Sequence, residues 1–214
     1  LISDFKPHIV HTHASKAGAI GRSAAFSMKV PIIVHTYHGH VFEAYFNSLL
    51  SSFYKTIERN LAKKTNAVIA LSERQTADLT SRFRICRKEQ IHVIPNGFDL
   101  SKFNENGELK RANFRSKYKL ENDEFAVGII GRMVPVKNHA MFIDVIDRVS
   151  KMYSGKVRYF IVGDGETCED TRQRLQKKNI SFNDGTEPDV NVHFTSWQTN
   201  VEEIMVGLDL LALT

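Results

Sequence analysis

Short apolar runs with no polar alternation recur along this chain, at residues 8–12, 31–36, 67–71, 91–95, 125–130, 157–162, 190–194 and 208–213. Between them apolar positions fall at helical spacing, over 16–28, 42–64, 73–83, 140–152, 168–178 and 201–205. A strand buried on both faces has no wet side to show. Such strands interleaved with amphipathic helices predict an α/β fold with parallel sheets covered on both faces. Ser72 followed by Gln75 reads as a capping box that opens the third helix. The rhythm breaks once, between residues 96 and 124, where Asn-Gly and Asn-Glu-Asn-Gly surround a short polar helix near 110–118. That break predicts a boundary within 97–120 between two α/β units, spanning 1–105 and 106–214.

Composition narrows the partners. The chain has 214 residues, 42% of them hydrophobic, enough for a core in each unit. A net charge of +5 suits an anionic ligand or an acidic membrane surface as well as nucleic acid. With no aromatic-interleaved basic motif and no Cys/His finger, nucleic acid is not expected. Cys86 and Cys168 are far apart in unlike contexts and read as free thiols in a reducing compartment, so a cytoplasmic location is expected. No apolar run approaches the roughly 18 residues of a membrane span, and no signal peptide is visible. The chain starts without Met in a helix-end pattern and stops just after a strand pattern, so it is expected to be an internal piece of a longer protein.

Four constellations could carry chemistry. In FAVGIIGRMVPVKNHA (125–140) a buried strand stops at Gly131, passes Arg132, Pro135 and Lys137, and opens a helix at Asn138, a plausible N-cap. Glycine lets a ligand near the backbone, the helix N-terminus offers N–H groups, and the cations neutralise charge. A Gly-Lys-Ser/Thr P-loop is absent, and two solvated cations on a loop remain the alternative. The position favours the ligand reading, because open parallel sheets bind ligands at the carboxyl ends of their strands. The second constellation is Gly163-Asp164-Gly165-Glu166 after a strand; the turn would admit a ligand, although Cys168 stands where a dinucleotide fingerprint has a third small residue. The third is His11 and His13 at one strand end with His35, His38 and His40 at the next. A metal site is the minor reading. Glu43 is the one nearby carboxylate, and the His-x-His alternation is expected to send neighbours to opposite faces. A single histidine acting on a ligand hydroxyl at the rim is the major one. The fourth is helix 42–64, where Tyr45, Phe46, Leu49, Leu50, Phe53, Ile57 and Leu61 form a stripe expected to face the core, with Lys55, Arg59, Lys63 and Lys64 solvated or touching an anionic membrane.

The stretches HIVHTHASKAGAIGR, VPIIVHTYHGHVF, TNAVIALSE, VIPNGFDLSKF, VGIIGRMVPVKNH, FIVGDGE and VHFTSW span nearly the whole chain. In this order they resemble the retaining glycosyltransferases of family 4, in the branch that builds bacterial capsule, exopolysaccharide or lipid-linked glycans. The resemblance implies the GT-B fold, two Rossmann-like domains facing a cleft, both truncated here. It implies sugar transfer from a nucleotide-diphosphate donor to a glycan or lipid-linked acceptor hydroxyl, with no metal and no other cofactor, at or near the inner face of the membrane. Arg132 and Lys137 match the cations on the donor diphosphate, with Gly131, Asn138, Gly163 and Gly165 beside the donor. His38 matches the histidine facing the reacting sugar and acceptor, and Asn96 and Gly97 match the turn on the cleft floor. The glycine-rich loop expected upstream and the paired carboxylates expected downstream are missing, so the piece alone is expected to be inactive. Ser196 stands where many relatives have Gly before Trp197. Two other classes remain open: a non-catalytic nucleotide-sugar or phosphoanion binding module, and a metal-dependent hydrolase built on the histidines.

Overall fold

The computed structural model describes residues 1–39 and 48–214. The chain forms two compact units, Leu1–Phe98 and Asp99–Thr214.

The first unit opens with a helical turn, α1 (Ile2–Phe5), and then alternates: β1 (Ile9–His13), α2 (Ser15–Ser27), β2 (Ile32–Tyr37), α3 (Ser48–Ala62), β3 (Ala67–Ala70), α4 (Glu73–Ala77) and β4 (Ile91–Val93). The strands lie in the order β1-β2-β3-β4 and every pairing is parallel. The capping box at α4 is present with a shift of one residue. Ser72 accepts from the Gln75 N–H at 3.2 Å, while the Gln75 side chain accepts from the N–H of Leu71 at 2.7 Å. Beyond Ala77 the helix widens into a π-helical turn, Asp78–Arg82, which buries Leu79.

Helix α3 corrects the reading of its apolar stripe. Its described part exposes Leu49 and Phe53, 82% and 60% accessible, and half-buries Ile57 and Leu61. Tyr45 and Phe46 lie outside the described residues. The side turned inward carries Ser51, Glu58 and Ala62. The reason is a buried ion pair: Glu58 Oε2 lies 2.7 Å from Arg22 Nη2 of α2 and accepts the Tyr37 hydroxyl at 2.6 Å. Burying either charge alone costs several kcal/mol, roughly 3–5 by analogy with broken buried pairs, so this contact decides which face of α3 turns in.

The second unit runs α5 (Ser101–Asn104), α6 (Gly107–Lys117), β5 (Phe125–Ile130), α7 (His139–Met152), β6 (Val157–Val162), α8 (Cys168–Lys177), β7 (Phe182–Asn183), β8 (Val192–Ser196), α9 (Val201–Gly207) and β9 (Leu210–Ala212). Its sheet has the order β7-β8-β6-β5-β9, again all parallel. One face packs Ile129, Met133, Phe142, Ile143, Ile146, Ile161, Leu175 and Phe194 beneath α7 and α8. The other packs Phe114, Tyr118, Phe160, Val162, Ile204 and Leu208 beneath α6 and α9. The two-residue β7 and the one-turn α5 carry too little periodicity to be read from sequence. The polar helix near 110–118 starts earlier, at Gly107, and is fastened by Arg111 to Asp209. Cys86 and Cys168 are unpaired thiols, and burial pushes the Cys86 pKa up to about 12.

His35 in β2 is fully buried, and burial with the neighbouring Arg22 charge lowers its pKa to about 3. Between that value and about 6.5 the unfolded chain holds a proton that the folded chain refuses. Stability due to His35 is therefore complete above pH 6.5 and is lost on acidification, at up to about 1.4 kcal/mol per pH unit. In an imidazole titration followed by NMR, His35 should stay neutral down to pH 4. A midpoint near 6.5 in the folded protein would contradict the buried, cation-flanked placement.

Candidate functional site

The loop after β5 turns at once. Gly131 has φ +156°, Val134 is extended ahead of Pro135, and Pro135–Lys137 forms a single 3-10 turn ending at Asn138. A residue before proline is pushed out of helical geometry, which places the turn and lets α7 begin only after it. Asn138 adopts a left-handed conformation and its Oδ1 accepts the Met141 N–H at 3.3 Å, so it is the N-cap of α7. Arg132 and Lys137 are both exposed, and neither has an ion-pair or hydrogen-bond partner for its side chain among the described residues. The Lys137 stem lies over Gly131, with Cε 3.7 Å from where a Cβ would sit. Burial, helped by the Lys137 charge, lowers the pKa of His139 at the first position of α7.

The two later glycines have a role that the sequence reading did not foresee. A Cβ on Gly163 would lie 2.1 Å from the Gly131 carbonyl oxygen, and one on Gly165 would lie 2.4 Å from that of Met133. What approaches these glycines is the neighbouring loop of the same chain. Main-chain bonds tie the loops together: Gly131 N–H to Val162 O, Met133 N–H to Asp164 O and Thr167 N–H to Met133 O, at 2.9–3.1 Å. Gly163 N–H then reaches Ser196 O at 2.9 Å, adding the end of β8. Ser196 sits at φ +55°, next to the register shift between β6 and β8. Glycine takes this conformation freely and serine at a cost.

The first unit gathers histidines at the carboxyl ends of β1 and β2. His13 Nδ1 meets His38 Nε2 at 3.0 Å, the His11 and His13 rings lie 4.3 Å apart, and His11 Nε2 bonds Thr36 Oγ1 at 2.8 Å. His11 and His13 thus share one face, which corrects the expectation of opposite faces: strand residues two apart point the same way. His35 instead lies beneath the rim, bonded through Nδ1 to Thr12 Oγ1 at 2.9 Å. Among the described residues no three His, Cys, Asp or Glu side chains are placed to hold a metal ion. His40 and Glu43 lie outside the described residues. Burial lowers the His11 pKa, as do the nearby His13 and His38. Asn96 and Gly97 lie exposed in an irregular stretch after β4, just before the end of the first unit.

Residues 1–102 match the family model described as Glycosyltransferase Family 4, and residues 124–214 match Glycosyl transferases group 1. The chain belongs to the family 4 glycosyltransferases. Over its full length it is 31% identical to the Escherichia coli UDP-Gal:alpha-D-GlcNAc-diphosphoundecaprenol alpha-1,3-galactosyltransferase, covering 53% of that protein. It is 30% identical, over 76% of its length, to the Staphylococcus aureus capsular polysaccharide biosynthesis glycosyltransferase CapM, of which 42% is covered. Among solved structures, Anabaena Alr3699/HepE in complex with UDP superposes with a TM-score of 0.79 at 21% identity, covering all of this chain and 55% of that one. The chain thus spans about half the length of the curated relatives it matches. The α/β units with their parallel sheets are those of the GT-B glycosyltransferase fold. In this family 4 chain the two cations and the rim histidines each follow the carboxyl ends of parallel strands, where such sheets bind ligands.

The interlocked loops make a stability prediction. Gly163→Ala has nowhere to put its methyl group except into the Gly131 backbone. Gly131→Ala meets only the flexible Lys137 stem and should cost about 1–3 kcal/mol of backbone strain. Urea unfolding should show Gly163→Ala losing clearly more than Gly131→Ala, and equal losses would mean that the two loops do not interlock.

Proposed function

We propose that this chain is part of a retaining glycosyltransferase that moves a sugar from a UDP-sugar to a hydroxyl of a glycan or lipid-linked acceptor, in the synthesis of cell-surface polysaccharide or glycolipid. The observation that carries the reading is the pair of exposed, carboxylate-free cations, Arg132 and Lys137, on a loop fixed by main-chain bonds at the end of β5. The UDP-dependent E. coli relative and the UDP-bound Anabaena structure support the choice of donor. Arg132 can grip a phosphate with two donors, and Lys137 supplies a point charge. Both would stabilise the charge that grows on the leaving diphosphate, as a divalent ion does elsewhere, so the reaction is proposed to need no metal. Gly131 and Asn138 shape the loop, Gly163 and Gly165 let it close against its neighbour, and His38 acts on the acceptor side of the reaction.

Arg132→Ala and Lys137→Ala should each weaken UDP binding about 10–100-fold, as expected for a charged hydrogen bond. In the whole transferase of which this chain is part, the double variant should abolish transfer from radiolabelled UDP-sugars to polyprenyl-diphosphate-linked acceptors, and added EDTA should leave the parent rate unchanged. Transfer that persists in the double variant would overturn the clamp. UDP binding without any turnover would favour the binding module instead.

A peripheral contact with an anionic membrane at the inner face is part of the same proposal. Leu49 and Phe53 are exposed on α3, and Lys63 and Lys64 are exposed just beyond or near its end. No helix among the described residues is long and apolar enough to cross a membrane. Sedimentation with phosphatidylglycerol vesicles should fall when Leu49 and Phe53 are both changed to Ser, whereas equal binding by parent and variant would remove α3 from the contact.

A further inference from the structure

The rim imidazoles are coupled. His13 Nδ1 and His38 Nε2 face each other at 3.0 Å, and their rings stack at 26° with centroids 5.2 Å apart. A neutral imidazole has one N–H and one lone pair, so one of these facing nitrogens carries the proton and the other does not. The pairing occupies Nε2 of His38 and leaves Nδ1 as the nitrogen that can face a ligand.

His13 is itself held in place. It lies opposite Thr36 in the parallel register of β1 and β2 and against the ring of His11, whose Nε2 is tied to the Thr36 hydroxyl. On the other strand, the residue before His38 is Tyr37, 3% exposed and fixed through its hydroxyl to Glu58. Both ends of the His13–His38 contact therefore start from anchored backbone, which separates it from a chance meeting of two surface side chains.

We propose that His13 is a positioning residue for His38: its Nδ1 fixes the rotamer and tautomer of the His38 ring so that Nδ1 of His38 is the nitrogen presented to the acceptor hydroxyl. This rests on the reading of His38 given above. Asparagine can replace His13 in this role, because its side-chain amide reaches about as far as Nδ1 and can donate or accept. Leucine fills similar space and can do neither.

The test pairs nitrogen-15 imidazole spectra with kinetics, both on the whole transferase of which this chain is part. In the parent protein His38 should show one tautomer. His13→Leu should convert it to an averaged mixture and lower kcat roughly tenfold, the scale of one lost hydrogen bond, with KM for the UDP-sugar unchanged. His13→Asn should restore both the single tautomer and most of the rate. An unchanged His38 spectrum in His13→Leu, or equal rate losses in the Leu and Asn variants, would overturn the proposal. His38→Ala is the separate control. Full transfer by that variant would remove His38 from the reaction and the proposal with it, whatever the spectra show.

Discussion

The second unit depends on main-chain hydrogen bonds that continue past the ends of its strands. Just past the ends of β5 and β6 the ladder goes one step further: Gly131 N–H bonds Val162 O, and Gly163 N–H bonds the carbonyl of Ser196, the last residue of β8. Backbone can approach backbone this closely only where a Cβ is absent or its residue accepts a left-handed conformation. Gly163 and Gly165 meet the first condition and Ser196 the second. The loop that bears Arg132 and Lys137 is held from behind by this ladder. Fixed charges stabilise a developing charge without reorganising, which is the property a diphosphate clamp requires. Gly163 and Gly165 let the neighbouring loop close against the one that carries the cations.

In the first unit the deciding interaction is buried charge. Arg22 and Glu58 are 1% and 5% exposed and face each other across α2 and α3. Their pairing pulls the polar side of α3 inward, turns Leu49 and Phe53 outward and fixes Tyr37 at the end of β2. The rim histidines stand on that foundation. His35 lies below it, kept neutral by burial and by the Arg22 charge, while His11, His13 and His38 share the upper face. One ion pair thus sets the accessible surface of α3 and the footing of the residues proposed to act on the acceptor.

Much of this could be read before any coordinates. Runs such as Phe125–Ile130 and Val157–Val162 coincide with β5 and β6 because a strand covered on both faces is largely apolar; the one charge, Arg158, is buried in an ion pair with Glu124. Asn138 and Ser72 were legible as caps because capping is a local bond between neighbours in sequence. The failures have physical causes of their own. The stripe on α3 followed helical periodicity faithfully, but periodicity identifies faces without saying which one a buried ion pair will claim. Residues Phe182–Asn183 pair as β7 only because β8 is there to receive them.

The sequence by itself determined the family, the alternation of strands and helices, the parallel sheets and the residue types at the strand ends, since each follows from short-range patterns or an ordered set of motifs. Tertiary structure decided what those residues do to one another. It set Gly163 against Gly131, brought His13 onto His38 from 25 residues away, and left Arg132 and Lys137 without a carboxylate among the described residues. Such facts depend on distances between segments remote in the chain, and only packing sets those distances.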